Sequence, residues 1–238
     1  MCRHTAWLGT PRTLEALLLA PPAGLLRQSW APRDQAHGTV NADGFGVGWY
    51  DPARTAPARY RRAGPMWADA SFASLAGVVR SGCVLAAVRS ASPGTPAGEE
   101  ACAPFLLGDV LLSHNGRVSV AAVAPLVDPA LLAAVGSTVD SAYVAALVLA
   151  GLGDGLPTAV AGAVRVVAAA DPGARLNLLA TDGATLVGTA WGDTLVTRGG
   201  ADGVAVASEG ADDLPGWRSV PDRTLVTTTA AGVVLDQL

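Results

Sequence analysis

No lysine occurs anywhere in the 238 residues; all 16 basic side chains are arginines. A chain without lysine forms no lysine Schiff base, carries no pyridoxal chemistry on itself and lacks the lysine of a phosphate-binding loop. Charge of any kind is scarce, at 15% of residues, with a net charge of −4 and no basic stripe. That balance argues against a nucleic-acid partner. Cysteine is limited to Cys2, Cys83 and Cys102, an odd number at wide spacing with no C-x-x-C, so neither a disulfide framework nor a zinc knuckle is indicated. His4, His37 and His114 have no ligand-like helical spacing, and no metal is expected. Long hydrophobic runs are missing too. Residues 14–26 are interrupted by Glu15, Pro21 and Pro22, which predicts no signal peptide. Residues 142–152 fall well short of the roughly 18–20 that a membrane span needs. The expectation is a cytoplasmic protein without a membrane segment. There is no G-x-S-x-G elbow, H-E-x-x-H or Walker A, and DGFGVGW at 43–49 is not G-x-G-x-x-G. No cofactor is expected.

Half of the residues are apolar, material for a substantial core. FGVGWYD (45–51) alternates glycine with bulky apolar residues, which predicts a strand with another backbone close to one face. SFASLAGVVRSG (71–82) predicts a helix capped by Ser71, with Phe72, Leu75, Val78 and Val79 on its buried face. CVLAAVRSAS (83–92) reads as a buried strand, and VLLSHNG (110–116) as another that ends in a turn. Helices follow at 140–153 and Leu156–Ala170. Strands are then expected within 174–183, 185–192, 203–210 and 224–238, punctuated by Asp-Gly and similar turns. Strands open and close the chain with helices between, an order suited to α+β architecture: two sheets with helical layers outside. The Pro/Gly stretches 51–57 and 92–104 read as long loops, and residues 1–238 as a single domain.

A cysteine directly behind the initiator methionine sits where a chain frays and where a thiol packs poorly. One chemical reason for it survives. If Met1 is removed, Cys2 carries a thiol and a free α-amine, and an amine of pKa about 7.7–8.0 can accept a proton near neutrality. The other candidates each have an ordinary reading. Asn115-Gly116 suits a tight hairpin turn, Arg89 an ion pair, and Asp140 a helix cap.

Taken together, a terminal Cys, Arg-x-x-Ser closing one strand, His-Asn-Gly closing another and Asp opening a helix resemble the class II glutamine amidotransferase pattern of N-terminal nucleophile hydrolases. MCRHTAWLG, QSWAPR, HGTVNADGFGVGW, AAVRSASPG, LLSHNG, ARLNLLATDG, TAWGDTL and VASEG are similar to the γ-glutamyl hydrolases of ergothioneine biosynthesis. The resemblance implies a four-layer αββα sandwich, with the mature chain starting at Cys2 as nucleophile. It implies an oxyanion hole from the Asn115 carboxamide and the Gly116 N–H. Arg89, helped by Ser92, would hold the carboxylate of a small-molecule γ-glutamyl substrate, and Asp140 its ammonium group. The family's amidotransferases append a synthase domain; this chain ends soon after its last strands, which favours a stand-alone hydrolase. The alternatives are a glutaminase subunit feeding a separate synthase and a non-catalytic γ-glutamyl-binding module. The leaving half in the ergothioneine pathway carries a trimethylammonium group, which aromatic faces recognise. That nominates Trp30 or Trp67, as loop residues, for the leaving-group pocket. The oligomeric state and the roles of the three histidines stay open.

Overall fold

The computed structural model describes residues 2–92 and 94–238; Met1, on whose removal the N-terminal amine depends, and Pro93 lie outside the described residues. Four strands come first: β1 (Arg3–Thr13), β2 (Phe45–Trp49), β3 (Ala58–Arg62) and β4 (Arg80–Val88). Then follow the hairpins β5 (Phe105–Leu107) with β6 (Val110–Arg117) and β7 (Arg175–Thr181) with β8 (Leu186–Ala190). The last strands are β9 (Val196–Gly200), β10 (Gly203–Ala207), β11 (Arg218–Ser219), β12 (Thr224–Thr229) and β13 (Gly232–Gln237). They assort into a seven-stranded sheet, β11-β9-β10-β1-β4-β2-β3, and a six-stranded sheet, β13-β12-β8-β7-β6-β5. Pairing among the described strands is antiparallel throughout.

Period-2 alternation turns these strands into layers. In β4, Val84, Ala86 and Val88 join an outer cluster with Trp7, Phe45 and Phe72, whereas Leu85 packs between the sheets with Leu111, Leu179 and Val206. In β6 and β7, Leu112, Leu176 and Leu178 belong to a third cluster, shared with helices. Helices α1 (Leu25–Gln28) and α2 (Ala70–Val78) cover the seven-stranded sheet. On the six-stranded sheet lie α3 (Val120–Val123), α4 (Pro129–Val135), α5 (Asp140–Gly151) and α6 (Leu156–Ala170). The result is the four-layer αββα order. Truncating a fully buried ring such as Phe72 to alanine would cost about 3–5 kcal/mol.

Several local expectations change. Helix α2 is capped by Asp69, whose carboxylate accepts from the Phe72 N–H at 2.9 Å, so Ser71 lies in the first turn and is not the cap. The Asn115-Gly116 turn is absent: β6 runs straight through, with Asn115 opposite Asn177 and Gly116 opposite Leu176. Glycine is required there by close approach, since a Cβ on Gly116 would lie 1.9 Å from the Arg175 carbonyl oxygen. In β2 the glycine alternation means what it predicted. A Cβ on Gly46 would meet the Ala103 carbonyl oxygen at 2.2 Å. The polar strand β3 (sequence ARYRR) and the short β9 carry no apolar alternation and are additions to the sequence reading. Asp140 is the first residue inside α5, after Val139 as the cap position.

Candidate active site

The chain start, the carboxyl end of β4, the carboxyl end of β6 and the amino end of α5 converge. Register does the first part: β1 pairs with β4 so that Arg3 lies opposite Val88, bringing Cys2 beside the residues that follow β4. A cavity of about 40 Å³ is lined there by Cys2, Arg89, Ser92, Gly116 and Asp140, with Phe45 and Phe105 among its apolar walls. Five sequence-nominated residues from four parts of the chain therefore share one space.

Cys2 is partly exposed, and its thiol makes only a long contact, 3.9 Å, to the Ser90 carbonyl oxygen. Burial pushes this thiol above its ordinary value, against the opposing pull of the Arg89 guanidinium. A thiol raised in this way is mostly protonated near neutrality and needs a base to become the attacking thiolate. Cys83 and Cys102 are deeper, and burial pushes each up to about 11. Their sulfurs are engaged with Thr181 Oγ1 at 3.1 Å and the Arg62 carbonyl oxygen at 3.3 Å.

Arg89 is buried. Its Nη1 donates to the Asp43 carbonyl oxygen at 3.2 Å, and its Nη2 to Thr95 Oγ1 at 3.0 Å and the Pro96 carbonyl oxygen at 2.8 Å. Of the five N–H groups on a guanidinium, Nε and one on Nη1 are left by these contacts. Asp140 is held from both sides: Oδ2 accepts from the Val118 N–H at 3.2 Å and Oδ1 from the Ser141 N–H at 2.8 Å. Asn115 does not line the cavity. Its carboxamide is fully buried, with Nδ2 at 3.5 Å from Ser208 Oγ and Oδ1 without a partner among the described residues.

The histidines divide. His114 is itself part of the cavity wall, with Nε2 at 2.8 Å from the Arg175 carbonyl oxygen and Nδ1 at 2.9 Å from Ser141 Oγ. A carbonyl only accepts, so Nε2 carries a proton, and Ser141 Oγ, which also lies 3.4 Å from Asp140 Oδ1, links the ring to the aspartate. His4 is fully buried with Nδ1 3.1 Å from Ser113 Oγ, and burial holds its pKa well below 6.5. His37 lies in the exposed segment between α1 and β2, where its carbonyl oxygen accepts from Gln35 Nε2 at 3.0 Å.

Two buried charges next to Cys2 were not nominated from sequence. Arg3 donates from Nε to the Cys2 carbonyl oxygen at 2.9 Å, and its Nη1 lies 3.7 Å from Glu209 Oε2. Glu209 in turn accepts from the Arg33 N–H at 3.0 Å and the Asp34 N–H at 2.9 Å. Arg3 adjoins Cys2 in sequence and Glu209 is the fourth residue of the VASEG stretch; adjacency and a lone acidic residue after a strand were the available signals. Trp30 and Trp67, nominated for the leaving-group pocket, do not line the cavity. They stand edge to face with ring centroids 5.8 Å apart, about two-fifths exposed.

No family model matches the chain. It is 52% identical over 238 residues, 100% of both chains, to a γ-glutamyl-hercynylcysteine sulfoxide hydrolase of Mycolicibacterium smegmatis. It is 50% identical to the protein of that name in Mycobacterium tuberculosis, covering 100% of this chain and 97% of that one. Among solved structures, a glutamine aminotransferase class-II domain protein from Silicibacter pomeroyi superposes with a TM-score of 0.73 at 25% identity, covering 100% of this chain and 99% of that one. A glutamine phosphoribosylpyrophosphate amidotransferase from B. subtilis shares the fold at a TM-score of 0.68 and 16% identity, with 49% of its chain covered and 100% of this one. This chain belongs to the family of γ-glutamyl-hercynylcysteine sulfoxide hydrolases, built on the class II glutamine amidotransferase fold.

Proposed function

We propose that the protein hydrolyses the γ-glutamyl amide bond of γ-glutamyl-hercynylcysteine sulfoxide through a thioester on Cys2. Residues 1–238 then act as one type-2 glutamine amidotransferase domain, mature from Cys2. The α-amine of Cys2 takes the thiol proton, directly or through a water, and the thiolate attacks the γ-carbonyl carbon. Negative charge develops on the carbonyl oxygen, stabilised by the fixed dipole of the Gly116 N–H in the cavity wall, with the Asn115 carboxamide, buried outside that wall, as the second donor. The tetrahedral adduct collapses, the protonated amine gives its proton to the leaving nitrogen, and water hydrolyses the thioester to glutamate. Arg89 with Ser92 holds the glutamyl carboxylate and Asp140 the glutamyl ammonium group.

The observation that carries this reading is the single cavity shared by Cys2, Arg89, Ser92, Gly116 and Asp140. The full-length identity of 52% to a relative named for the reaction supports the substrate. The raised thiol of Cys2 supports a partner base. No single helix among the described residues is long and apolar enough to cross a membrane. With the low, acidic net charge, this fits a cytoplasmic enzyme that meets a small molecule rather than nucleic acid or lipid.

Glutamate release tests the assignment on three compounds: the hercynylcysteine sulfoxide conjugate, the same conjugate with its amine unmethylated, and glutamine. A trimethylammonium recognised by an aromatic face is worth about 0.5–2 kcal/mol, a several-fold to roughly 30-fold preference in kcat/KM. The methylated conjugate should react fastest, and Trp30→Ala or Trp67→Ala should narrow its lead if either ring reaches the leaving half. Equal kcat/KM for all three compounds would remove the substrate assignment.

A further inference from the structure

The β1–β4 ladder begins at Arg3, one residue after the nucleophile. Cys2 thus sits at a chain end just outside the ladder. Its thiol makes the long contact to Ser90 already described, and its carbonyl oxygen is taken by Arg3 Nε at 2.9 Å. Arg3 is itself fully buried, with Nη1 at 3.3 Å from Thr194 Oγ1 and 3.7 Å from the equally buried Glu209. Its Nη2 has no partner among the described residues. Burying a pair of charges is a poor route to stability, and an unsatisfied donor makes it poorer. Stability alone does not account for such a pair beside a nucleophile.

The carboxylate of Glu209 also takes the N–H groups of Arg33 and Asp34. Further along the same segment, Asp43 accepts from Arg89 Nη1 with its carbonyl oxygen, and from the Ala91 N–H with its carboxylate at 2.8 Å. Its own N–H donates to the Arg89 carbonyl oxygen at 2.9 Å. Residues 33–43 are therefore anchored at one end to the group holding the nucleophile and at the other to the arginine nominated for the glutamyl carboxylate.

We propose that Arg3 and Glu209 are positioning residues that fix the Cys2 main chain and residues 33–43 as one unit, so that nucleophile and glutamyl site keep a common register. The inference rests on Cys2 being the nucleophile of a γ-glutamyl hydrolase. Neither residue needs to touch the substrate; both act through Cys2 and the segment.

Arg3→Lys and Glu209→Gln in the full chain test it, with three readouts: steady-state glutamate release, labelling of Cys2 by a γ-glutamyl diazoketone, and alkylation of Cys2 by iodoacetamide. A displacement of about 1 Å at a reacting group is enough for about a 10²-fold loss, so kcat and diazoketone labelling should fall about 10- to 100-fold together while KM moves little. Iodoacetamide, which needs an accessible thiol but no register, should react nearly as with the wild type. Should Arg3→Lys fail to fold, Glu209→Gln carries the test alone, since it keeps the side chain's shape and one acceptor oxygen. Unchanged kcat in the folded variants overturns the proposal. So does an equal loss in both labelling reactions, which is the mark of general unfolding. A wild-type chain inert toward every γ-glutamyl compound overturns this inference together with the reading beneath it.

Discussion

A crevice of about 220 Å³ opens on the outer side of the seven-stranded sheet, several times roomier than the cavity of about 40 Å³ that holds Cys2. It has aromatic walls as well, from Trp7 and Trp217. Its charges, however, are balanced against each other: Arg12 lies over Trp7 and pairs with Asp202, and Arg198 lies over Trp217 and pairs with Asp212. The small cavity instead combines a weakly contacted thiol with an arginine that keeps N–H groups to spare. Volume locates space; uncompensated reactive groups locate chemistry. The contrast predicts that substitutions in the small cavity act on turnover and those in the crevice on stability.

The largest expected effect is at the chain start. Cys2→Ala should reduce glutamate release to background, while Cys83→Ala and Cys102→Ala leave it nearly intact because their sulfurs are buried away from the cavity. An uncleavable N-terminal extension should be as damaging as losing the thiol, because it converts the base into an amide. Full activity in an extended protein, its mass confirmed, would remove the amine from the mechanism.

Next in size is the oxyanion donor. Loss of one such donor typically lowers kcat about 10²–10³-fold, and Asn115→Ala should fall in that range with KM little changed. The carboxamide is buried against Ser208, so the melting temperature must be recorded beside kcat. A loss of stability without the kinetic loss would assign Asn115 to the crevice's class of residue. Arg89→Ala and Asp140→Ala should follow with a loss of about 10- to 100-fold in kcat/KM, the size of a hydrogen bond to a charged group. Substrates with an acetylated amine or a blocked carboxylate should lose a similar factor on the wild type, and equal reactivity of blocked and unblocked compounds would exclude the clamp.

What could be read in advance follows the same division. Cys2 was legible from its place at the chain start, and Arg89, Ser92, Gly116 and Asp140 because they lie at a strand's end or a helix's start within short recognisable stretches. Asn115-Gly116 was legible as a pair, but its local meaning was misread. The dipeptide favours a turn in isolation, and the β7 backbone at Leu176 and Asn177 overrides that preference by pairing with it. The layers followed from the order of strands and helices and from the family resemblance, whereas β3 carries no apolar pattern to show. Arg3 and Glu209 were illegible because their meeting depends on β10 lying beside β1, a long-range pairing that no local period encodes. The resemblance nominated Trp30 and Trp67 as loop residues for the leaving-group pocket, but local sequence could not say that each would take the other as its neighbour.

A buried histidine outside the cavity lining gives a smaller, pH-dependent effect. His4 is fully buried, and its pKa is held well below 6.5 by burial. As pH falls below about 6.5, the unfolded chain binds a proton at His4 that the native chain refuses, and native stability drops by up to about 1.4 kcal/mol per pH unit. Melting curves between pH 7 and 5 should therefore fall less steeply for His4→Gln than for the wild type. Parallel curves would mean that His4 titrates alike in the native and unfolded states.

The smallest effect on turnover, none, is expected in the crevice. Asp212 accepts from Arg198 Nη1 at 2.5 Å and from Trp217 Nε1 at 3.0 Å. Burial alone would raise its pKa, but these hydrogen bonds and the Leu214 N–H prevail and hold it below the ordinary value. A carboxyl depressed in the native state stabilises the protein above its unfolded pKa, about 3.9, and loses that contribution as pH falls through the native value. Asp212→Asn should therefore cost about 1 kcal/mol near neutrality, a partly exposed charged pair being worth little more. In a domain of this size that lowers the melting temperature by about 2–4 °C. The deficit should shrink when both proteins are melted at pH values below about 3.9, the unfolded-state pKa. Glutamate release at 25 °C should match the wild type in both kcat and KM, since no described contact links Asp212 to the lining of the small cavity. A kinetic loss in Asp212→Asn with the melting temperature unchanged would break the comparison, because it would make the roomier crevice part of the working site.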